Sequence, residues 1–220
     1  NANMSPHLSA VRYWTAGILF GQSARVLDPM TLRSETLLRV DQAGFPHPPL
    51  HFPVLWEAEE EPIVRSGEEI VQRVAVLNVI VNCAYGMPAD AASAWLADNR
   101  LEQCVTERER LVLTGELGRV EEDKTQVEAI NALVWMLGIV CALDAAEFCG
   151  DDLAQQLPDL RRSEPISAWL ERRPVQSRPT DEVLTEWDLY FCLTWGLADS
   201  NLRRATVPGP LPQYVYWHRR

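Results

Sequence analysis

The chain has 220 residues, of which 47% are hydrophobic and 23% are charged, so it is long enough to bury one substantial core. Its 20 basic and 31 acidic residues give a net charge of −11. This charge repels the phosphate backbone of nucleic acids and anionic membrane surfaces, so we expect neither among the partners of the protein. The five cysteines include no Cys-x-x-Cys pair, which favours free thiols in a reducing, cytoplasmic compartment.

The first predicted element is a helix over residues 6–22, because Ser5 is a helix cap followed by a proline at the first helical position. The three residues before Met4 resemble an expression remnant, and no signal-peptide pattern follows them. Thr31 is the predicted cap of the second helix, which Gly44 ends.

A proline-rich stretch over residues 43–62 then predicts an extended segment rather than a helix. His47 and His51 have the i, i+4 spacing of metal ligands on a helix, but the prolines around them forbid that helix. We therefore expect no metal and no cofactor. Four apolar side chains are predicted to hold the segment against the body: Phe45, Phe52, Leu55 and Trp56.

Two later helices begin at capping boxes, in which a hydroxyl and a glutamate three residues on cap each other's backbone amides. These are the pairs Ser66 with Glu69 and Thr106 with Glu109. No alternating strand or hairpin signal occurs, so we predict an all-α fold, a compact multi-helix orthogonal bundle with a Pro-rich extended segment. The predicted helices cover residues 6–22, 32–43, 67–85, 89–99, 107–114, 124–142, 151–157, 165–172, 181–203 and 211–220.

The helix over 181–203 is almost surrounded by apolar residues, which predicts a central position. Asp188, Trp195 and Asp199 nevertheless share one of its faces. The two aspartates lie about 16 Å apart along the axis, too far for the ~5–10 Å separation of a glycosidase pair. Any catalytic partner must therefore come from another helix.

The helix over 124–142 could supply that partner, because Glu128 and Trp135 share one of its faces. One interpretation is a pocket between the two helices, lined by Glu128, Trp135, Asp188 and Trp195, with Asp199 as a further polar group. The other is structural: the acids pair with arginines such as Arg65 and Arg203 and hold helices together. The chain contains no G-x-S-x-G elbow, P-loop, G-x-G-x-x-G or H-E-x-x-H motif that would favour an enzyme.

Four segments in a fixed order resemble the bacterial family known as domain of unknown function 4272: 65–88, 127–138, 182–202 and 207–220. The resemblance spans residues 31–220 and implies a helical domain, but it implies no activity. It maps the recurrent features of the family onto Arg65, Ser66, Glu68, Glu69, Glu128, Ala129, Trp135, Gly138, Asp188, Leu189, Tyr190, Trp195 and Asp199. A histidine often precedes the last tryptophan in that family, whereas Thr194 stands here, which weakens the case for a catalytic histidine.

We accordingly predict one helical domain over residues 1–220, with an N-terminal helix and tag remnant in 1–30 and the family-like part in 31–220. The leading hypothesis for function is a non-enzymatic module that binds a protein partner with a basic surface, for instance as an antitoxin or immunity protein. The alternative is a hydrolase or small-ligand binder that uses the pocket between the two helices.

Overall fold

The computed structural model describes residues 28–57, 60, 62–117, 120–145 and 147–203. The helices predicted over 6–22 and 211–220 lie outside these residues. Within the described ranges the chain is helical and has no strand, so the all-α prediction is confirmed there. The α-helices are α1 (Pro29–Gln42), α2 (Gly67–Ala84), α3 (Ala89–Asp98), α4 (Glu107–Leu113), α5 (Val120–Lys124), α6 (Val127–Met136), α7 (Leu153–Gln156), α8 (Ile166–Arg172) and α9 (Thr180–Arg203). Two short 3-10 turns, Glu102–Cys104 and Leu160–Arg162, complete the described elements.

Helix α2 is the centre of the larger part of the core. Eleven of its 18 residues are buried, because apolar side chains lie on every side of the helix beyond its first turn. It packs along α6 and also against α3, α4 and α5. The fully buried indole of Trp169, on α8, joins the same cluster as Val74 and Val134. The capping box of Ser66 and Glu69 starts α2 as predicted, and that of Thr106 and Glu109 starts α4.

Helices α1 and α9 pack along each other and form a second part of the core. Their contact buries Val40 from α1 and Leu193 and Leu197 from α9. The predicted cap of α1 is wrong. Asp28 is the cap, since its Oδ2 accepts a hydrogen bond from the Thr31 amide at 2.8 Å, and Thr31 itself lies in the first turn.

The single helix predicted over 124–142 is also wrong. Helix α6 ends at Met136, and Gly138 takes a left-handed conformation with φ of +71°. The carbonyls freed at this end are bound by the returning chain: the amide of Gln176 donates to Leu137 O at 3.1 Å, and that of Arg178 donates to Met136 O at 2.8 Å. A separate short helix, α5, precedes α6.

The proline-rich segment contains no helix over the described residues between 43 and 62. Phe45 and Trp56 are buried, whereas Phe52 and Leu55 are half-buried. The Phe52 ring stacks on Phe191 of α9, with the ring centroids 4.7 Å apart. The segment therefore covers one side of α9 with aromatic side chains.

Candidate functional site

The carboxylate of Asp188 is bound by an arginine that lies on α1. Arg33 Nε donates to Asp188 Oδ2 at 3.0 Å and to Oδ1 at 3.2 Å, and Arg33 Nη2 donates to Oδ1 at 2.7 Å. The side chains of Arg33 and Asp188 are only 8% and 1% exposed. Arg33 Nη2 also donates to the Pro53 carbonyl at 3.0 Å, so one guanidinium joins α1, α9 and the proline-rich segment.

Two ionisable side chains lie next to Asp188, those of Arg33 and Cys192, and the pKa of each is raised. Burial lowers the pKa of Arg33, but the hydrogen bonds and charge of Asp188 outweigh it, and the pKa lies above its ordinary value. Cys192 is fully buried one turn along α9. Burial and then the Asp188 charge raise the pKa of its thiol to about 12, so it is not a thiolate at neutral pH. Asp188 is therefore held in a buried ion pair with Arg33.

Trp195 and Asp199 continue the same face of α9. The Trp195 ring lies 6.0 Å from that of Phe52, centroid to centroid, and so belongs to the contact with the proline-rich segment. Asp199 Oδ1 accepts a hydrogen bond from Arg203 Nε at 2.9 Å, within the same helix. Arg203 is thus a partner of Asp199, whereas the partner of Asp188 is Arg33 and not Arg65.

Glu128 lies elsewhere, in the first turn of α6, and is only 2% exposed. Its Oε1 accepts a hydrogen bond from the Cys149 amide at 3.0 Å. The structure therefore does not bring Glu128, Trp135, Asp188 and Trp195 into one pocket. Glu128 and Trp135 instead line two separate grooves at the two ends of α6.

We call the larger of these two grooves the broad groove. It lies between α2, the start of α6 and the chain from 148 to 164, and it encloses about 1280 Å³. Two aromatic side chains on it are exposed, Tyr85 at 69% and Phe148 at 44%. Two asparagines one turn apart on α2 also line it. Asn78 Nδ2 donates to Pro158 O at 3.0 Å, and Asn82 Nδ2 donates to Asn78 O and Oδ1 at 2.8 and 3.0 Å.

The two banks of the broad groove differ in charge. One bank belongs to the stretch 148–151, whose one charged residue is Asp151. On the other bank Arg172 Nη2 pairs with Glu164 at 2.8 Å, and Arg162 lies 3.5 Å from Asp159. Arg161 also lines this second bank, which therefore has three arginines and two acids, whereas the first bank carries the charge of Asp151.

We call the smaller of the two grooves the apolar groove. It lies between α6 and α9 and encloses about 390 Å³. Arg65 and Trp135, both predicted site residues, line it. The side chains that α9 contributes are Val183, Glu186, Trp187 and Tyr190, and not Asp188 or Trp195. A groove between these two helices is therefore present, but it uses the neighbouring face of α9. The remaining lining residues are Ile63, Val64, Ile70, Ala132, Leu133, Met136 and Leu143.

Neither groove has a metal-binding arrangement. In the part of the chain that the structure describes, no three His, Cys, Asp or Glu side chains are grouped so that they could hold a metal ion. Over the same residues, no helix combines the length and the apolar character needed to cross a bilayer. Sequence reasoning missed Arg33, because nothing local distinguishes it from the other arginines.

Comparison with known proteins gives one match. A family model described as Domain of unknown function (DUF4272) matches residues 30–220. No curated protein and no solved structure matches the chain. The matched range includes every described helix except the first residue of α1, together with both grooves. The chain therefore belongs to the DUF4272 family.

Proposed function

We propose that the protein is a non-enzymatic binding module that holds a segment of a partner protein in the broad groove. The observation that carries the proposal is the groove itself: about 1280 Å³, open to solvent, with exposed aromatic rings. Small-molecule sites enclose roughly 300–1,000 Å³ and bury most of their ligand. A polypeptide segment fits a wider, open groove of this kind better.

The lining of the broad groove supports a polypeptide ligand. Tyr85 and Phe148 offer aromatic surface of the type enriched at protein interfaces. Asn82 uses its amide protons on Asn78, and its Oδ1 accepts no hydrogen bond from the described part of the chain. A backbone N–H of a bound segment is a suitable donor to that oxygen.

Charge supports a basic partner. The net charge of −11 attracts a basic protein at long range, and Asp151 lines the groove on the same stretch as Phe148. The bound segment should therefore combine apolar side chains with Lys or Arg. An antitoxin or immunity role, in which acidic residues cover the basic active site of a toxin, is one form that such binding takes.

Three further observations are in line with this proposal. The two buried acids of the predicted pocket have structural partners, Asp188 in Arg33 and Glu128 in the Cys149 amide, so they do not supply a free catalytic pair. All five cysteines are free thiols, which supports a reducing, cytoplasmic environment. The same negative charge makes nucleic acid a poor partner.

The test is selection of a random peptide library, displayed on phage, against the purified protein. We expect enriched peptides to carry Lys or Arg next to apolar residues, and their binding to weaken as salt rises. A variant with Tyr85→Ala and Phe148→Ala should bind them at least about tenfold more weakly, as expected for loss of central aromatic contacts.

The matched control for that variant is Leu38→Ala. Leu38 is 65% exposed, close to the 69% of Tyr85, but it lies on α1 and does not line the groove. It should leave peptide affinity unchanged. Enrichment of acidic peptides, or equal binding to the wild type and to the double variant, would show that the broad groove is not a site for a basic segment.

A further inference from the structure

The apolar groove has two properties that suit a small ligand. Its volume of about 390 Å³ falls within the roughly 300–1,000 Å³ typical of small-molecule sites. Its rim exposes apolar side chains, with Trp187 50% and Ile63 94% accessible to solvent. Covering Trp187 with an apolar molecule removes this surface from water and is favourable by itself.

The Arg178 side chain packs on the Trp135 ring at the floor of the apolar groove. The Arg178 guanidinium lies 4.5 Å from the centroid of the Trp135 ring. Arg178 Nε donates to Trp135 O at 2.9 Å, and Nη2 donates to Cys141 O at 2.7 Å. A ring fixed in this way loses little conformational freedom when a ligand packs on it.

Two charged side chains line the apolar groove, Arg65 and Glu186, and they differ in their partners. Glu186 Oε1 accepts a hydrogen bond from Arg39 Nη2 at 2.8 Å, so its charge is compensated. The Arg65 side chain forms no ion pair or hydrogen bond with the described residues. The nearby Glu69 is engaged at Oε2 by the amide and hydroxyl of Ser66, both at 2.8 Å. The hydrogen bonds of Ser66 and then the charge of Arg65 lower the pKa of Glu69, so Arg65 interacts with that carboxylate through space. The N–H donors of Arg65 make no hydrogen bond with the described residues and face the edge of an apolar cleft as a free recognition group.

We propose that the apolar groove binds a small monocarboxylate with an aromatic or short acyl body. The apolar body lies against Trp135 and Trp187, and the carboxylate accepts hydrogen bonds from Arg65. An arginine recognises a carboxylate through two parallel N–H donors, which fixes the orientation of the ligand. A cationic ligand does not fit, because the acid of the groove is already paired with Arg39.

The experiment compares two probes of nearly the same shape, 2-naphthoate and 2-naphthamide, by isothermal titration calorimetry with the full chain. We expect 2-naphthoate to bind at least about fivefold more tightly, since a charge-assisted hydrogen bond at a partly exposed site is worth about this much. Arg65→Gln should remove that preference while leaving the affinity for the amide unchanged.

Two control variants make the result specific. Arg161→Gln replaces another exposed arginine, on the broad groove, and should keep the preference for the carboxylate. Val183→Trp fills the apolar groove and should abolish binding of both probes, with thermal unfolding used to check that each variant folds. Failure of both probes to bind, equal affinity for the two, or a preference that survives Arg65→Gln would each overturn the proposal. None of these outcomes bears on the broad groove, because no residue substituted in the apolar groove lines it.

Discussion

Arg33 and Asp188 are separated by 155 positions in the chain, yet they meet through three hydrogen bonds of 2.7 to 3.2 Å. Both side chains are almost completely buried. The phenyl rings of Phe52 and Phe191 lie 5.4 and 6.0 Å from the guanidinium carbon. The pair is therefore enclosed by apolar groups, and removal of one partner leaves the other charged and desolvated.

Asp188→Ala should consequently lower the free energy of unfolding by about 3–5 kcal/mol, the usual cost of an orphaned buried charge. Urea denaturation followed by circular dichroism measures this loss. Asp199→Ala is the matched control, since it removes an aspartate of the same helix from an i, i+4 pair with Arg203, whose side chain is 72% exposed. It should cost no more than about 0.5 kcal/mol. Similar losses in the two variants would contradict a structural role specific to Asp188.

Gly138→Ala should destabilise the protein much more than Gly86→Ala. Both glycines have positive φ, +71° and +99°, so both substitutions bring backbone strain of about 1–2 kcal/mol. A Cβ on Gly138 would also lie 2.3 Å from the Gln176 carbonyl oxygen, whereas one on Gly86 meets nothing within 4 Å. The difference between the thermal unfolding midpoints of the two variants separates the effect of the steric clash from that of backbone strain. Equal midpoints would show that the chain at Gln176 can move away freely.

The stability of the protein should fall in acid partly through Glu109. Burial raises its pKa, but hydrogen bonds from Arg73 and the Thr106 amide lower it more, so the net pKa lies below its ordinary value of 4.5. A group with a lowered folded pKa stabilises the protein above its unfolded pKa, and this contribution is lost as pH falls through the folded pKa. The Glu109→Gln variant should therefore be less stable than the wild type at pH 7. As the pH falls below about 4.5, the variant should lose less further stability than the wild type does.

Urea unfolding at a series of pH values from 7 to 3 measures that difference. Arg73→Gln should also reduce the loss of stability in acid, because it removes the donors that lower the pKa of Glu109. These donors are Arg73 Nη1 and Nη2, which lie 3.0 and 2.6 Å from the Glu109 carboxylate oxygens. Parallel curves for the wild type and Glu109→Gln would exclude Glu109 as a source of the acid sensitivity.

The cysteines should differ strongly in reactivity. Cys141 is exposed, whereas Cys192 is fully buried with a pKa raised to about 12. Burial, and then the charge of Asp123, also raise the pKa of Cys83. Iodoacetamide at pH 8, with mass spectrometry of the peptides, should label Cys141 well before Cys83 and Cys192, and all three alike in urea. Rapid labelling of Cys192 in the folded protein would mean that α1 and α9 separate readily.

The start of a helix could be predicted from the sequence where all the hydrogen-bond partners of its cap lie within one turn. The capping boxes at Ser66 and at Thr106 need only residues three positions apart, so the sequence pattern is sufficient. The end of α6 could not be predicted, because the carbonyls of Met136 and Leu137 are bound by Arg178 and Gln176 from a distant loop. A local pattern contains no information on that loop, and the apolar residues up to 142 resemble a continuing helix.

The site illustrates the same limit. Helical periodicity correctly groups Asp188 with Trp195 and Asp199, but it does not say which neighbour that face meets. The structure turns it toward α1 and the proline-rich segment, while the adjacent face, with Glu186 and Trp187, meets α6 across the apolar groove. Which arginine pairs with Asp188 depends on this tertiary arrangement, and so it could not be predicted from spacing.

The sequence separation of Arg33 and Asp188 also affects how the protein is made. During synthesis at about 5–20 residues per second, Arg33 is added to the chain roughly 8–30 s before its partner aspartate. Throughout that interval its guanidinium and the apolar side of α1 have no native partner on α9. The α2 and α6 core can assemble first, and α1 docks only when the last described helix has emerged. Nascent chains stalled after α6 has emerged, but before α9 has emerged, should therefore contain a folded core of α2 and α6 with α1 still undocked.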